Sequence, residues 1–83
     1  MRRIDLDTRE LEHPKPLELA IEALRALDAD SYLYMRNSKN PIPLLSLAQQ
    51  HHYQILSQED NQGEWHILIA KSKETSLEEY LDV

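Results

Sequence analysis

The chain has 83 residues, of which 41% are apolar and 29% charged, and its formal net charge is -6. This length predicts one domain with a modest core. The absence of cysteine excludes disulfides, thiolate nucleophiles, iron–sulfur clusters and cysteine-based zinc sites, a single glycine excludes glycine-rich phosphate loops, and the acidic balance argues against nucleic-acid binding.

The first part of the chain predicts a strand, a helix and a second strand. Ile4 and Leu6 alternate with charged residues, as in a half-buried strand. Pro16 suits the first turn of a helix, and the apolar residues after it recur at helical spacing, so we expect a helix over residues 16–27. The aromatic and apolar residues 32–35 predict the second strand.

The remainder predicts a second helix and a hairpin. Pro43 begins the helix, and strands are expected over residues 53–58 and 64–71. Gly63 would supply the positive φ of the loop between them. The order βαβαββ predicts an α+β two-layer sandwich, in which a four-stranded mixed sheet carries both helices on one face.

Residues 72–83 form an acidic tail beyond the domain, which we place at residues 1–71. A capping-box pattern begins at Ser76. Three side chains would share one face of a short helix: Leu77, Tyr80 and Leu81. Because such a short helix is rarely stable alone, the tail should fray, dock on its own domain or dock on a partner.

The residues from Leu6 to Pro16 carry a motif. Their sequence, Leu-Asp-Thr-Arg-Glu-Leu-Glu-His-Pro-Lys-Pro, resembles the Leu-Asp-x-Arg-x-Leu-x-Cys-Pro-x-Pro motif of the TusA/SirA sulfur-carrier superfamily. The element order and the place of Trp65 in the last strand extend the resemblance over about residues 4–71. It implies a sheet similar to that in the C-terminal domain of translation initiation factor 3.

His13 occupies the position of the superfamily's persulfide-bearing cysteine. An imidazole cannot carry a transferable sulfane sulfur as a thiolate can. The chain therefore resembles the cysteine-less, uncharacterised branch, whose bacterial members occur alone or joined to hemerythrin-like domains. That branch has an Asp-His-Asp-Pro-x-Pro turn before its second helix, whereas residues 38–43 here lack its acidic and histidine positions. We expect a non-catalytic protein-interaction module, rather than an enzyme, with no cofactor.

A binding site is also predicted at the start of the first helix. His13, Arg9 and Lys15 lie where the helix dipole favours an anion. The alternative function is therefore a small-anion or small-ligand sensor, or a weak enzyme. Against it, His13 could hydrogen-bond the backbone and fix the Pro-x-Pro turn, and Asp7 could form a salt bridge with Arg9 that ties the strand end to the loop.

One sheet face has no predicted helix to cover it. Four side chains of three strands share this outward parity: Tyr34, Leu56, His66 and Leu68. They would form a partner or dimer surface, or ordinary exposed apolar surface. Docking of the tail is one way to cover the face.

No metal site is predicted from the four histidines. His51 and His52 are adjacent and would diverge on a helix, while His66 lies on the opposite sheet face. His52 is expected at a helix C-terminus with positive φ. With no apolar run of membrane-spanning length and no signal-peptide pattern, we expect a cytoplasmic monomer or weak homodimer that binds a protein partner.

Overall fold

The computed structural model describes all residues, Met1–Val83. Its elements in chain order are β1 (Arg2–Asp7), α1 (Lys15–Ala26), β2 (Ser31–Asn37), α2 (Ile42–Gln50), β3 (Gln54–Glu59), β4 (Trp65–Ala70) and a 3-10 helix (Leu77–Tyr80). The predicted order βαβαββ is confirmed. Element ends differ from the predicted ones by one or two residues, which is the usual scatter at frayed ends.

The sheet is mixed and four-stranded, with the order β1-β2-β4-β3. β1 pairs parallel with β2, whereas β4 pairs antiparallel with both β2 and β3. The register sets Asp7 beside Arg36 and Asn37 beside Trp65. Consequently the C-terminal ends of β1 and β2, and the starts of the helices that follow them, lie at one end of the sheet.

The main core lies between the helices and one face of the sheet. Helical spacing on α1 and α2 and alternation on β2 and β4 bring nine buried side chains together: Ala20, Leu24, Leu27, Leu33, Met35, Leu44, Ala48, Ile67 and Ile69. Trp65 packs partly buried against this cluster, as its position in the last strand predicted. Both helices therefore lie on one face, which confirms the expected two-layer α+β sandwich.

Two backbone positions with positive φ also agree with the sequence. His52 has φ 62° just beyond α2, and Gly63 has φ 80° in the β3–β4 loop. Both residue types tolerate this conformation better than a branched side chain does. These residues set where α2 ends and where β4 turns back along β3.

The opposite face of the sheet is covered by the tail, which is one of the arrangements that the sequence left open. The tail folds back and forms a single 3-10 turn, because its few residues cannot sustain an α-helix. Leu77 is 2% exposed and completes a second apolar cluster on this face. The other buried members of that cluster are Tyr32, Tyr34, Leu68 and Ala70. No helix combines the length and apolar character required to cross a bilayer.

Candidate functional site

A groove of about 700 Å³ lies between the starts of the two α-helices. The segment after β1, residues 9–13, forms one wall, and the last residue of β2 with the segment after it, residues 37–41, forms the other. His13 lies on the first wall and Lys39 on the second. The groove is thus built from two equivalent strand-to-helix turns brought side by side by the β1–β2 pairing.

Proline determines how each helix begins at the groove. Pro16 is the second residue of α1 and Pro43 is the second residue of α2, and neither helix has a side-chain cap. No backbone oxygen accepts a hydrogen bond from the amide N–H of Leu17 or Leu44, both of which line the groove. Two unpaired donors at the positive ends of two helix dipoles favour a ligand that presents acceptor oxygens.

The predicted basic residues contribute unequally to this groove. Arg9 lines it but is held by two carboxylates: its guanidinium lies 2.7 Å from Asp7 Oδ2 and 3.0 Å from Glu64 Oε1. The hydrogen bond from Arg9 lowers the pKa of Asp7 to about 2. The predicted salt bridge between Asp7 and Arg9 is therefore confirmed, and it leaves little of the Arg9 charge for an incoming anion.

His13 and Lys15 are both exposed. Lys15 does not line the groove, so the three residues of the predicted anion site do not converge on it. The His13 side chain faces solvent and makes no hydrogen bond to the backbone. It therefore does not fix the turn by hydrogen bonding, as one interpretation of the sequence had it. His13 remains free to meet a ligand.

Large apolar side chains lie exposed beside the groove. Leu11 lines it and is 38% exposed, and Ile42, between the two prolines that begin α2, is 60% exposed. Exposed apolar side chains around a concave site with polar donors are typical of surfaces that bind another protein. Sequence reasoning missed both residues, because both lie in segments between the predicted elements, where no periodic pattern indicates which side chains are exposed.

A buried network that the sequence did not predict supports the floor of the groove. Thr8 is fully buried, and its hydroxyl lies 2.9 Å from the Arg36 carbonyl oxygen and 3.0 Å from Asn37 Oδ1. The Asn37 amide donates to the Lys39 carbonyl oxygen at 2.9 Å. These bonds fix the two walls relative to each other. The available signal was a threonine directly after one strand and an asparagine at the end of its neighbour.

On the other face of the sheet, three polar side chains form a buried polar chain: Tyr34, His66 and Asp60. Tyr34 Oη lies 2.7 Å from His66 Nδ1, and His66 Nε2 lies 3.0 Å from Asp60 Oδ2. The hydrogen bond with His66 lowers the pKa of Asp60, so this carboxylate is an acceptor only. With a neutral imidazole, His66 Nε2–H donates to this carboxylate and His66 Nδ1 accepts from the Tyr34 hydroxyl. Burial in turn raises the pKa of Tyr34.

The tail closes over this buried polar chain. The Asp82 backbone N–H donates to Tyr34 Oη at 3.0 Å, and Arg3 pairs with the Asp82 carboxylate at 3.1 Å. The same guanidinium lies 3.9 Å from the centre of the Tyr34 ring. Tyr34 and Leu68 are fully buried, His66 is 3% exposed, and Leu56 is half-buried. The predicted interaction face thus lies under the tail, and its role in binding stays a prediction.

Metal-ligating side chains do not gather anywhere in the structure. No group of three or more His, Cys, Asp or Glu side chains is arranged to hold a metal ion. His66 is engaged with Tyr34 and Asp60, and the His51 ring lies 5.8 Å from that of Tyr53. The groove between the helix starts therefore remains the best candidate for binding.

Comparison with known proteins gives two matches. A family model described as an uncharacterized conserved protein, DUF2249, matches residues 5–71. The crystal structure of a SirA-like protein from Desulfitobacterium hafniense is similar, with a TM-score of 0.70 and 23% sequence identity over 83% of this chain and 97% of that chain. At this identity the likeness shows the fold alone. The comparison with curated proteins found no match.

Proposed function

Because the chain belongs to the DUF2249 family of uncharacterized conserved proteins and has a SirA-like fold, we propose that it is a non-catalytic protein-interaction module. It binds a partner protein at the groove between the starts of α1 and α2. The observation that carries this proposal is the pairing of exposed apolar side chains, Leu11 and Ile42, with a groove whose backbone donors are unpaired.

The non-catalytic part of the proposal follows from the residue at the motif position. A sulfur carrier needs a thiolate there, and this chain has the imidazole of His13. No carboxylate or other side chain holds His13 as an orienting partner would hold a general base. The scaffold is therefore retained without the group that performs sulfur transfer in the superfamily that the motif resembles.

The binding part of the proposal follows from the surroundings of the groove. Leu11 and Ile42 offer apolar area, and burying the part of each side chain that is still exposed would contribute about 1–2 kcal/mol each. The amide N–H groups of Leu17 and Leu44 can donate to carbonyl or carboxylate oxygens of the same partner. Glu10 and Glu12, which also line the groove, disfavour an isolated small anion but do not oppose a peptide.

The test is affinity purification of the full chain from its source cells, with quantitative mass spectrometry of the proteins recovered. Leu11→Glu and Ile42→Glu place a charge on the apolar surface and should lower recovery of the specific partner at least about tenfold, equivalent to about 1.4 kcal/mol. Val83→Glu is the matched control, because Val83 is also exposed, at 56%, but is a tail residue that does not line the groove. Equal recovery by all variants would refute docking at the groove.

The alternative function, a small-anion sensor at the start of α1, rests on the unpaired Leu17 amide and the exposed His13. The two carboxylates that hold Arg9 oppose it. Titration of the labelled protein with phosphate, followed by NMR, should then shift residues 9–17, and His13→Ala should weaken the effect. Unchanged spectra up to millimolar phosphate would eliminate this function.

A further inference from the structure

The hydrogen bonds of the buried polar chain under the tail all run in one direction. At one end, Asp60 Oδ1 accepts from two backbone N–H groups at 2.8 and 3.0 Å, and Oδ2 accepts from His66 Nε2 at 3.0 Å. His66 Nδ1 in turn accepts from the Tyr34 hydroxyl at 2.7 Å. At the other end, Tyr34 Oη accepts from the Asp82 backbone N–H at 3.0 Å. Every donor therefore points toward Asp60, and the tail supplies the outermost donor.

This direction holds only while the His66 ring is neutral. A neutral imidazole has one donor nitrogen and one acceptor nitrogen, whereas a protonated imidazole has two donors. Because Nε2 already carries a proton in its contact with Asp60, the ring can take up a further proton only at Nδ1. Protonated Nδ1 would donate to Tyr34 Oη, so the Tyr34 hydroxyl would lose the acceptor of its own proton.

The Tyr34 hydroxyl cannot adapt to this reversal while the tail stays in place. Its other hydrogen-bond partner is the Asp82 N–H, which is also a donor. Two N–H groups would then point at one oxygen whose own proton has no acceptor, and Tyr34 is fully buried. A buried donor without a partner is costly, whereas movement of the Asp82 N–H away from the sheet lets water reach both groups. Release of the end of the tail therefore relieves the conflict.

The charged residues of the domain around His66 act equally on the docked and the released tail. Asp60 favours the protonated ring, and Arg36, the neighbour of His66 on β2, disfavours it. The neighbour on β3 is Gln58, which carries no charge. Since none of these residues belongs to the tail, their effects on His66 largely cancel when the two states of the tail are compared.

The acidic residues of the tail do not supply the difference either. The Asp82 carboxylate is paired with Arg3 of β1 at 3.1 Å, and Glu78 and Glu79 are exposed. Exposed or paired charges act weakly on a neighbour. The difference between the docked and the released tail therefore comes from the Asp82 N–H and its contact with the Tyr34 hydroxyl.

We propose that the buried polar chain is a pH-sensitive switch that controls docking of the tail on its own domain. While His66 is neutral, the hydrogen bond from the Asp82 N–H to Tyr34 Oη holds the end of the tail. When His66 takes up a proton, this bond is lost and the end of the tail leaves the sheet. Histidine is the side chain that changes charge between pH 8 and pH 5, so the switch operates in that range. By linkage, docking of the tail also opposes protonation of His66 by the same factor.

The experiment is NMR spectroscopy of the 15N-labelled full chain between pH 8 and pH 5, a range above the usual titration of carboxylates. At pH 8, the ring 15N shifts of His66 should show the proton on Nε2. As His66 becomes protonated, the order parameter of the Asp82 N–H should fall from about 0.85 to below about 0.6 with the same midpoint. The order parameters of β2 and β4 should stay near about 0.85, because only the tail is released.

Two variants separate the switch from a general effect of pH. Tyr34→Phe removes the oxygen that joins His66 to the tail, so His66 should still titrate while the order parameter of the Asp82 N–H no longer depends on pH. His51→Gln is the matched control, because it removes an exposed histidine at the end of α2, and it should behave as wild type.

Three results would overturn the proposal. They are a wild-type tail that stays ordered down to pH 5, a His66 proton on Nδ1 at pH 8, and a tail that still loosens in step with His66 in Tyr34→Phe. The first two are measured on the wild-type chain, so they decide the matter even if Tyr34→Phe does not fold.

Discussion

Replacing Tyr34 with phenylalanine tests the buried polar chain directly. The change removes one oxygen atom and keeps the ring, so the packing against Leu68 and the contact with Arg3 remain. Two hydrogen bonds disappear: the one that Tyr34 accepts from the Asp82 backbone and the one it donates to His66 Nδ1. The cost therefore measures the polar contribution of this hydroxyl alone.

The magnitude follows from the surroundings of the hydroxyl. A typical hydrogen bond contributes about 0.5–1.5 kcal/mol, and a buried acceptor left without a partner costs about 1–3 kcal/mol. His66 is 3% exposed, so its Nδ1 cannot recover a water partner without opening the tail. We expect Tyr34→Phe to lower the free energy of unfolding by about 2–3 kcal/mol, a large part of the roughly 4–12 kcal/mol available to a domain of this size.

The assay is thermal and urea denaturation followed by circular dichroism. A loss of about 2–3 kcal/mol should lower the Tm by roughly 10–20 °C for a domain of this length. Tyr53→Phe is the matched control, because Tyr53 is half-buried and its hydroxyl is not part of the network. A Tyr34→Phe loss under about 0.5 kcal/mol, or one equal to that of the control, would refute the hydrogen-bond assignment.

Three further changes test other parts of the structure. Thr8→Val keeps the shape of a fully buried side chain but removes the hydroxyl beside Asn37, and urea denaturation should show a loss of about 1–2 kcal/mol. The hydrogen bond from His66 lowers the pKa of Asp60 in the folded protein. The ionised carboxylate therefore stabilises the fold at a pH above the ordinary pKa of Asp, and this stabilisation is lost as the pH falls through the lowered pKa. Asp60→Asn should flatten the fall in Tm measured between about pH 5 and pH 3. His13→Ala should leave the Tm within about 2 °C, because the side chain is exposed, and a larger drop would show that His13 is structural.

Local sequence signals predicted the strands and helices around the main core well. Apolar alternation in strands and helical spacing after Pro16 and Pro43 are properties of neighbouring residues, so they can be recognised without tertiary knowledge. The same is true of positive φ at His52 and Gly63, since few residue types tolerate it. The resemblance added the fold, which the similar SirA-like structure confirms, and the family model places the chain in DUF2249.

Long-range contacts were outside the reach of such signals. The Tyr34 to His66 bond joins residues on different strands, and Asp82 reaches Tyr34 from the far end of the chain. Nothing in the tail pattern distinguishes docking on its own sheet from docking on another protein, because both bury Leu77 and Tyr80. The site at the groove was half predicted: His13 and Arg9 do line it, whereas the neutralisation of Arg9 by Glu64 depends on a residue 55 positions away.

The two faces of the sheet are stabilised to very different degrees, and this difference predicts which face opens first. The helix side has nine buried apolar residues from four elements, so it opens only when the domain unfolds. The tail side depends on Leu77, on partly buried Tyr80 and Leu81, on one backbone hydrogen bond to Tyr34 and on one partly exposed ion pair with Arg3. Burial of one leucine contributes about 1.5–3 kcal/mol, and an exposed ion pair adds at most about 1 kcal/mol. Because the tail is held by fewer contacts than the core on the helix side, we expect it to be released before the domain unfolds, while the groove keeps its shape.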